Sequence, residues 1–107
     1  MIALDATLKR YIFMSETFDV SKRYYVYILH SLKDKGLYIG FTTSLKNRLT
    51  KHARGEIKAT KFRLPVKLIY YEYFINEEDA KAREEFLKSG FGRRQFKEAL
   101  KRTLSML

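Results

Sequence analysis

Tyr24-Tyr25-Val26-Tyr27-Ile28-Leu29, a polar break at Lys33-Asp34-Lys35-Gly36, then Leu37-Tyr38-Ile39-Gly40-Phe41: the reading of this stretch decides the fold. Both runs are rich in aromatic and β-branched residues, which suit a pleated surface, and the break carries turn residues, so the pair reads as a β-hairpin. In the first run, about 23–30, both alternating faces are apolar. Tyr25, Tyr27 and Leu29 lie on one, Tyr24, Val26 and Ile28 on the other. A strand of that kind is covered on both sides, which places it centrally in a sheet. The second run, about 37–41, contains Gly40, whose missing side chain lets a ligand or a neighbouring side chain approach the backbone, or simply permits a bulge.

Working outward, residues 1–22 are mixed in character and read as an appendage of unknown role. Leu4, Leu8 and Ile12 are spaced for one face of a short helix, and Met14 is an alternative translation start. After the hairpin, Thr43 and Ser44 suit a helix N-cap and Gly55 suits the position just past a helix end, which predicts a helix over 45–54. Leu45, Leu49 and Ala53 form its expected core stripe. At about 100° per residue, Arg48 and His52 fall together on one flank of that stripe and can point into one cleft.

Residues 56–65 lose periodicity and predict a loop, and 66–74 a third strand. Asn76 then caps a helix over 77–88, with Glu77, Glu78 and Asp79 at the positive end of its dipole. Ser89-Gly90 ends that helix and Phe91-Gly92 links it to a last one over 93–105. There Phe96, Leu100, Leu104 and Leu107 face inward, while Arg93, Lys97 and Lys101 form a basic stripe. The order strand, strand, helix, strand, helix, helix predicts an α+β domain over 23–107, a small three-stranded, mostly antiparallel sheet flanked by helices.

A chain of 107 residues with 46% apolar content supports one core. The absence of cysteine excludes disulfides and thiolate metal sites. No apolar run approaches the roughly 20 residues that cross a bilayer, so the expectation is a soluble cytoplasmic protein with no membrane partner. Twenty-two Lys and Arg against 12 Asp and Glu, a formal charge of +10, point to a polyanionic partner. Charge favours a nucleic acid over a membrane and leaves DNA and RNA open.

Tyr25-x-Tyr27 followed by Tyr38-Ile39-Gly40 resembles the paired signature of the GIY-YIG nuclease superfamily, particularly its small single-domain members. The second half matches outright; the first has Tyr25 where the family name has glycine. Together with Arg48 and His52 on the first helix and Glu84 on a later one, the resemblance covers roughly 23–100. It implies the architecture above and a metal-dependent endonuclease whose catalytic residues are Tyr27, Tyr38, Arg48 and His52. It also implies a divalent cation, Mg²⁺ or Mn²⁺, on Glu84. Many larger members place an asparagine after the metal-binding helix; here Ser89-Gly90-Phe91-Gly92-Arg93 follows.

The residue chemistry agrees with that implication. One carboxylate with phosphate oxygens and waters suits Mg²⁺, and the planar donor fork of Arg48 suits a phosphate. A phenol of pKa near 10 is too little ionised at neutral pH to act as a general base unaided, so Tyr27 needs Arg48, the metal or His52 beside it. Lys51, Lys58, Lys61, Arg63, Arg93 and Arg94 are the candidates for contacts with a nucleic-acid backbone. Spacing alone equally allows Glu84 to pair with Lys88 one turn on. A non-catalytic nucleic-acid-binding module and a protein-interaction domain are the competing readings, and targeting falls to a partner protein or to nucleic-acid shape.

Overall fold

Tyr24–Ser31 forms β1, Leu37–Thr42 β2 and Val66–Phe74 β3, and they join in one antiparallel sheet of order β2-β1-β3. This is a computed structural model, and it describes residues 22–107. The helical face expected at Leu4, Leu8 and Ile12, and Met14, lie outside the described residues. β1 is central, as its two apolar faces require. Its register sets Tyr27 opposite Gly40 on one side and opposite Tyr71 on the other. Against β3 the register shifts between Ile28 and Leu29, which face Tyr70 and Leu68 and leave Ile69 as an extra residue.

Because side chains alternate, the sheet has two different sides. Val26, Ile28 and Ile39 join Ala80, Leu87 and Phe96 in a buried cluster, with Tyr70, Phe74 and Leu100 packed at its margin. Each large apolar side chain buried there contributes roughly 1.5–3 kcal/mol relative to exposure. The helices that cover this side are α2, Glu77–Lys88, and α3, Gly90–Ala99; a short α4, Lys101–Ser105, follows. The opposite side carries Tyr27 and Leu29, both buried, beneath α1, Leu45–Ala53, and the segment after it.

The expected caps are found for α2, where Asn76 Oδ1 accepts from the Asp79 amide at 3.0 Å. Gly55 follows α1 with φ +75°, a conformation that favours glycine. Ser44 occupies the N-cap position of α1 without a side-chain capping bond. Two expectations are corrected. Ala53 is exposed, and α1 turns His52 inward instead, so the polar flank of the expected stripe is the face that packs. The last helix is two: α3 starts at Gly90 rather than 93, and the chain breaks at Leu100.

Ser89 is the reason for the early start, since it ends α2 and caps α3 at once. Its hydroxyl donates to the Phe86 carbonyl at 2.6 Å and accepts from the Gly92 amide at 3.0 Å. The turn is so close that a Cβ on Gly92 would lie 1.9 Å from the Phe86 carbonyl oxygen. The expected basic stripe is divided by the same break: Lys101 Nζ bonds Glu98 at 3.1 Å, while Arg93 and Lys97 remain on α3. No helix of the described residues is long and apolar enough to cross a membrane.

Candidate active site

Tyr27 stands at the middle of β1 with its ring laid across the backbone of Gly40 on β2. A Cβ at Gly40 would fall 2.3 Å from Tyr27 Cζ and 2.4 Å from its hydroxyl oxygen, so the glycine is there for close approach and not for a bulge. The next residue pair on this side brings in Tyr38 of β2, whose ring centroid is 6.2 Å from that of Tyr27. From above, α1 supplies His52, edge-on to both rings at 5.6 and 5.2 Å. Arg48, one turn earlier on α1, sets its Nε 3.4 Å from the Tyr27 hydroxyl.

The polar atoms form a chain. Tyr27 Oη and His52 Nε2 are 2.7 Å apart, and His52 Nδ1 and Thr60 Oγ1 are again 2.7 Å apart. Tyr27, His52 and Thr60 are each at most 1% exposed. Buried polar groups cost stability unless they are bonded, and here each partner is satisfied by the next. Thr60 is held in place by a tight local fold: its amide bonds the Ile57 carbonyl at 3.1 Å, and its carbonyl accepts from the Arg63 amide at 2.8 Å.

Burial sets the protonation of the chain. It pushes the Tyr27 phenol up to about 12, against the opposing pull of the hydrogen bond and charge of Arg48. Burial also pulls the His52 imidazole down to about 4, and the Arg48 charge adds to that. At neutral pH the pair is therefore an uncharged phenol beside an uncharged imidazole. Arg48 in turn is held protonated by its hydrogen bond to Tyr27.

Four of the five residues expected at the centre, Tyr27, Tyr38, Arg48 and His52, are thus brought together. Glu84 is not joined to them by any hydrogen bond or ion pair among the described residues. It lies on α2, which covers the other side of the sheet, and its carboxylate pairs with Lys88 at 3.1 Å. Its side chain is 22% exposed. As a hard oxygen donor at the protein surface it fits a cation that keeps most of its shell as water and phosphate. Among the described residues no group of three or more His, Cys, Asp or Glu side chains could form a richer site.

Of the candidate backbone contacts, Lys51, Lys58 and Lys61 are exposed on α1 and the segment that carries Thr60. Arg63 differs, because its guanidinium Nε bonds Asp34 at 2.6 Å and ties this segment to the β1–β2 turn. Arg93 and Arg94 are exposed on α3, across the sheet. Thr60 escaped sequence reasoning altogether. It sits in a basic, aperiodic stretch, and nothing in Ala59-Thr60-Lys61 marks an inward-facing hydroxyl. Tyr71 and Tyr73 are each 51% exposed on the edge strand.

Comparison with known proteins adds a family. Residues 23–98 match the GIY-YIG catalytic domain. UPF0213 proteins of Streptococcus pyogenes serotype M3 and serotype M5 are each 46% identical over 69 residues, which is 64% of this chain and 74% of theirs. A UPF0213 protein from Bacillus halodurans, solved by solution NMR, is 35% identical, with a TM-score of 0.47 over 72% of this chain and 84% of that one.

Proposed function

The chain belongs to the GIY-YIG catalytic domain family, a family of nucleases, and from that premise we propose that it is a metal-dependent endonuclease hydrolysing DNA phosphodiester bonds. The observation that carries this reading is the buried Tyr27–His52–Thr60 chain with Arg48 at its outer end. Packing alone gives no reason to spend a tyrosine, a histidine and a threonine on a fully buried polar row. A row of that kind can hold and move a proton.

Arg48 binds a non-bridging phosphate oxygen through its planar donors. Its bond to Tyr27 is the longest of the row, so a phosphate draws the guanidinium outward and uncovers the phenol oxygen to water. Binding the phosphate also offsets the Arg48 charge that helps depress His52, which makes the imidazole a better acceptor. The attacking water then gives its proton to Tyr27 as Tyr27 gives its own to His52 Nε2. In the tautomer this requires, His52 Nδ1–H donates a hydrogen bond to Thr60 Oγ1 throughout, which keeps Nε2 free to receive. Water attacks phosphorus in line, the bond to the 3′ oxygen breaks, and the departing oxygen takes a proton from solvent. His52 Nε2 returns its proton to Tyr27, Tyr27 passes its own to solvent, and Tyr38 orients the reacting groups from the side.

Glu84, released from Lys88, would hold Mg²⁺ or Mn²⁺, which when bound stabilises the leaving oxygen and the charge on the transition state. Lys51, Lys58 and Lys61 are exposed on the segments that carry His52 and Thr60 and suit backbone phosphates, each without regard to sequence. A second reading is favoured by one observation. The Glu84 carboxylate is engaged by Lys88 rather than by the Tyr27 cluster, an arrangement suited to a domain that binds nucleic acid without cutting it.

Labelled branched, nicked and linear DNA, incubated with Mg²⁺ or Mn²⁺, separates the two. Wild-type protein should cut in a metal-dependent way, and Tyr27→Phe and Glu84→Gln should not. If wild type fails to cut while salt-sensitive DNA binding persists in all three proteins, the binding module replaces the nuclease.

A further inference from the structure

On the far side of the sheet from Tyr27, the β1–β2 turn, α3 and α4 enclose a groove of about 600 Å³. Lys35 reaches it from the turn, and Arg93 and Lys97, one helical turn apart, reach it from α3. Leu37, Leu104 and Leu107 supply its apolar part, and His30 of β1 completes the wall. We propose that this groove is a phosphate-binding site, separate from the tyrosine–histidine cluster, that takes the phosphate of a nucleotide unit.

Three observations carry the proposal. The first is uncompensated charge. Arg54, Arg63, Lys81, Arg83, Lys88 and Lys101 each sit against a carboxylate, while other described cations, Lys46, Lys51 and Lys58 among them, stand apart from one another without such a partner. Among the described residues, Lys35, Arg93 and Lys97 have no such partner, and no Asp or Glu lines the groove. Three like charges around one concavity repel each other unless an anion sits between them.

The second is an orphaned polar atom. His30 is 5% exposed, yet its Nδ1 is buried without a hydrogen-bond partner, the single such side-chain atom among the described residues. Native structures leave few groups in that state, and a ligand is one of the standard ways in which they are satisfied. The third is presentation. Lys35 holds φ +63°, the left-handed region that a lysine seldom occupies. Ser31 fixes it there: its hydroxyl accepts from the Lys33 and Asp34 amides, and its carbonyl accepts from the Lys35 amide at 2.9 Å. The turn is built rather than slack, and it delivers an ammonium to the groove. The leucines opposite suit the ring of a base or sugar, hence a nucleotide unit rather than a bare ion.

The phosphate can belong to a free nucleotide or to a nucleic-acid strand, and the proposal does not depend on the nuclease reading. The test is an NMR titration of the folded chain with inorganic phosphate, adenosine monophosphate and a short DNA duplex in turn, following backbone amides and imidazole signals. Adenosine monophosphate should shift His30, Lys35, Arg93 and Lys97 ahead of other residues. In Lys97→Glu that binding should weaken by at least about tenfold, with a spectrum otherwise that of the folded protein. Lys46→Glu, exposed on α1, should leave it unchanged. The same shifts with the duplex and not with the mononucleotide would assign the phosphate to a strand. The proposal is overturned if no probe perturbs these residues, if Lys97→Glu binds as well as wild type, or if exposed lysines throughout the surface respond equally.

Discussion

At Gly40 a single missing carbon admits the Tyr27 ring, and that contact fixes where the phenol stands. Gly40→Ala places a methyl 2.3 Å from Tyr27 Cζ, so Tyr27 must move; the expected loss is about 2–3 kcal/mol in a denaturant titration. Thr60→Val keeps shape but leaves His52 Nδ1 without a partner, while Thr60→Ser keeps the hydroxyl. Cleavage should drop about 10–100-fold in the valine variant and recover in the serine one, and the imidazole nitrogen shifts of His52 should change only in the former. A threonine that merely filled space would give equal results in both. His52 also makes stability depend on pH. Folded, it stays neutral down to about 4; unfolded, it takes a proton near 6.5. The unfolded chain is thus the first to bind a proton as pH falls, so stability should decline between those two values and level off below them. The decline is about 3 kcal/mol at most, and melting of His52→Gln should show a flatter slope across that window. The tyrosines, arginine and histidine were legible because a motif orders them in the chain. Thr60 was not, since its role exists only once a loop folds over α1.

Among the elements, local chemistry was readable and shared chemistry was not. Asn76 caps α2 with its own side chain, three residues from the amide it bonds, and sequence shows such a cap directly. Asn76→Ala should cost about 1 kcal/mol. Ser89 serves two helices, so a reading that ends one helix before starting the next misplaces α3 by a turn. The fit at that junction has little slack, because a Cβ at Gly92 would meet the Phe86 carbonyl at 1.9 Å. Gly92→Ala should therefore destabilise well beyond Asn76→Ala, and urea unfolding of the two side by side checks the order. In α1 the error had a different source. The stripe Leu45, Leu49 and Ala53 was drawn from apolar residues alone, with Arg48 and His52 on its flank, whereas the candidate site is itself part of the interior surface that the helix covers. Ala53 was assigned inward by the same logic and is exposed.

For the whole molecule, element order and a charge of +10 were on view in the sequence, but the side of the sheet on which each cation falls depends on register and crossover. That division matters for how a nucleic acid is held. Lys51, Lys58 and Lys61 are exposed on the segments that carry His52 and Thr60, whereas Arg63 is committed to Asp34 and so contributes no free charge. A duplex lying across the cluster meets these three lysines and Arg48, and each neutralised phosphate releases counterions. The logarithm of its affinity should therefore fall against the logarithm of salt concentration with a slope of about −3.6. Replacing Lys58 and Lys61 together by alanine should flatten that slope by about 2, because each removes one phosphate contact. Filter binding or fluorescence anisotropy across a salt series reads both values. A slope unaffected by the double substitution would move the DNA away from the Tyr27 side altogether, and with it the premise that Arg48 meets the scissile phosphate.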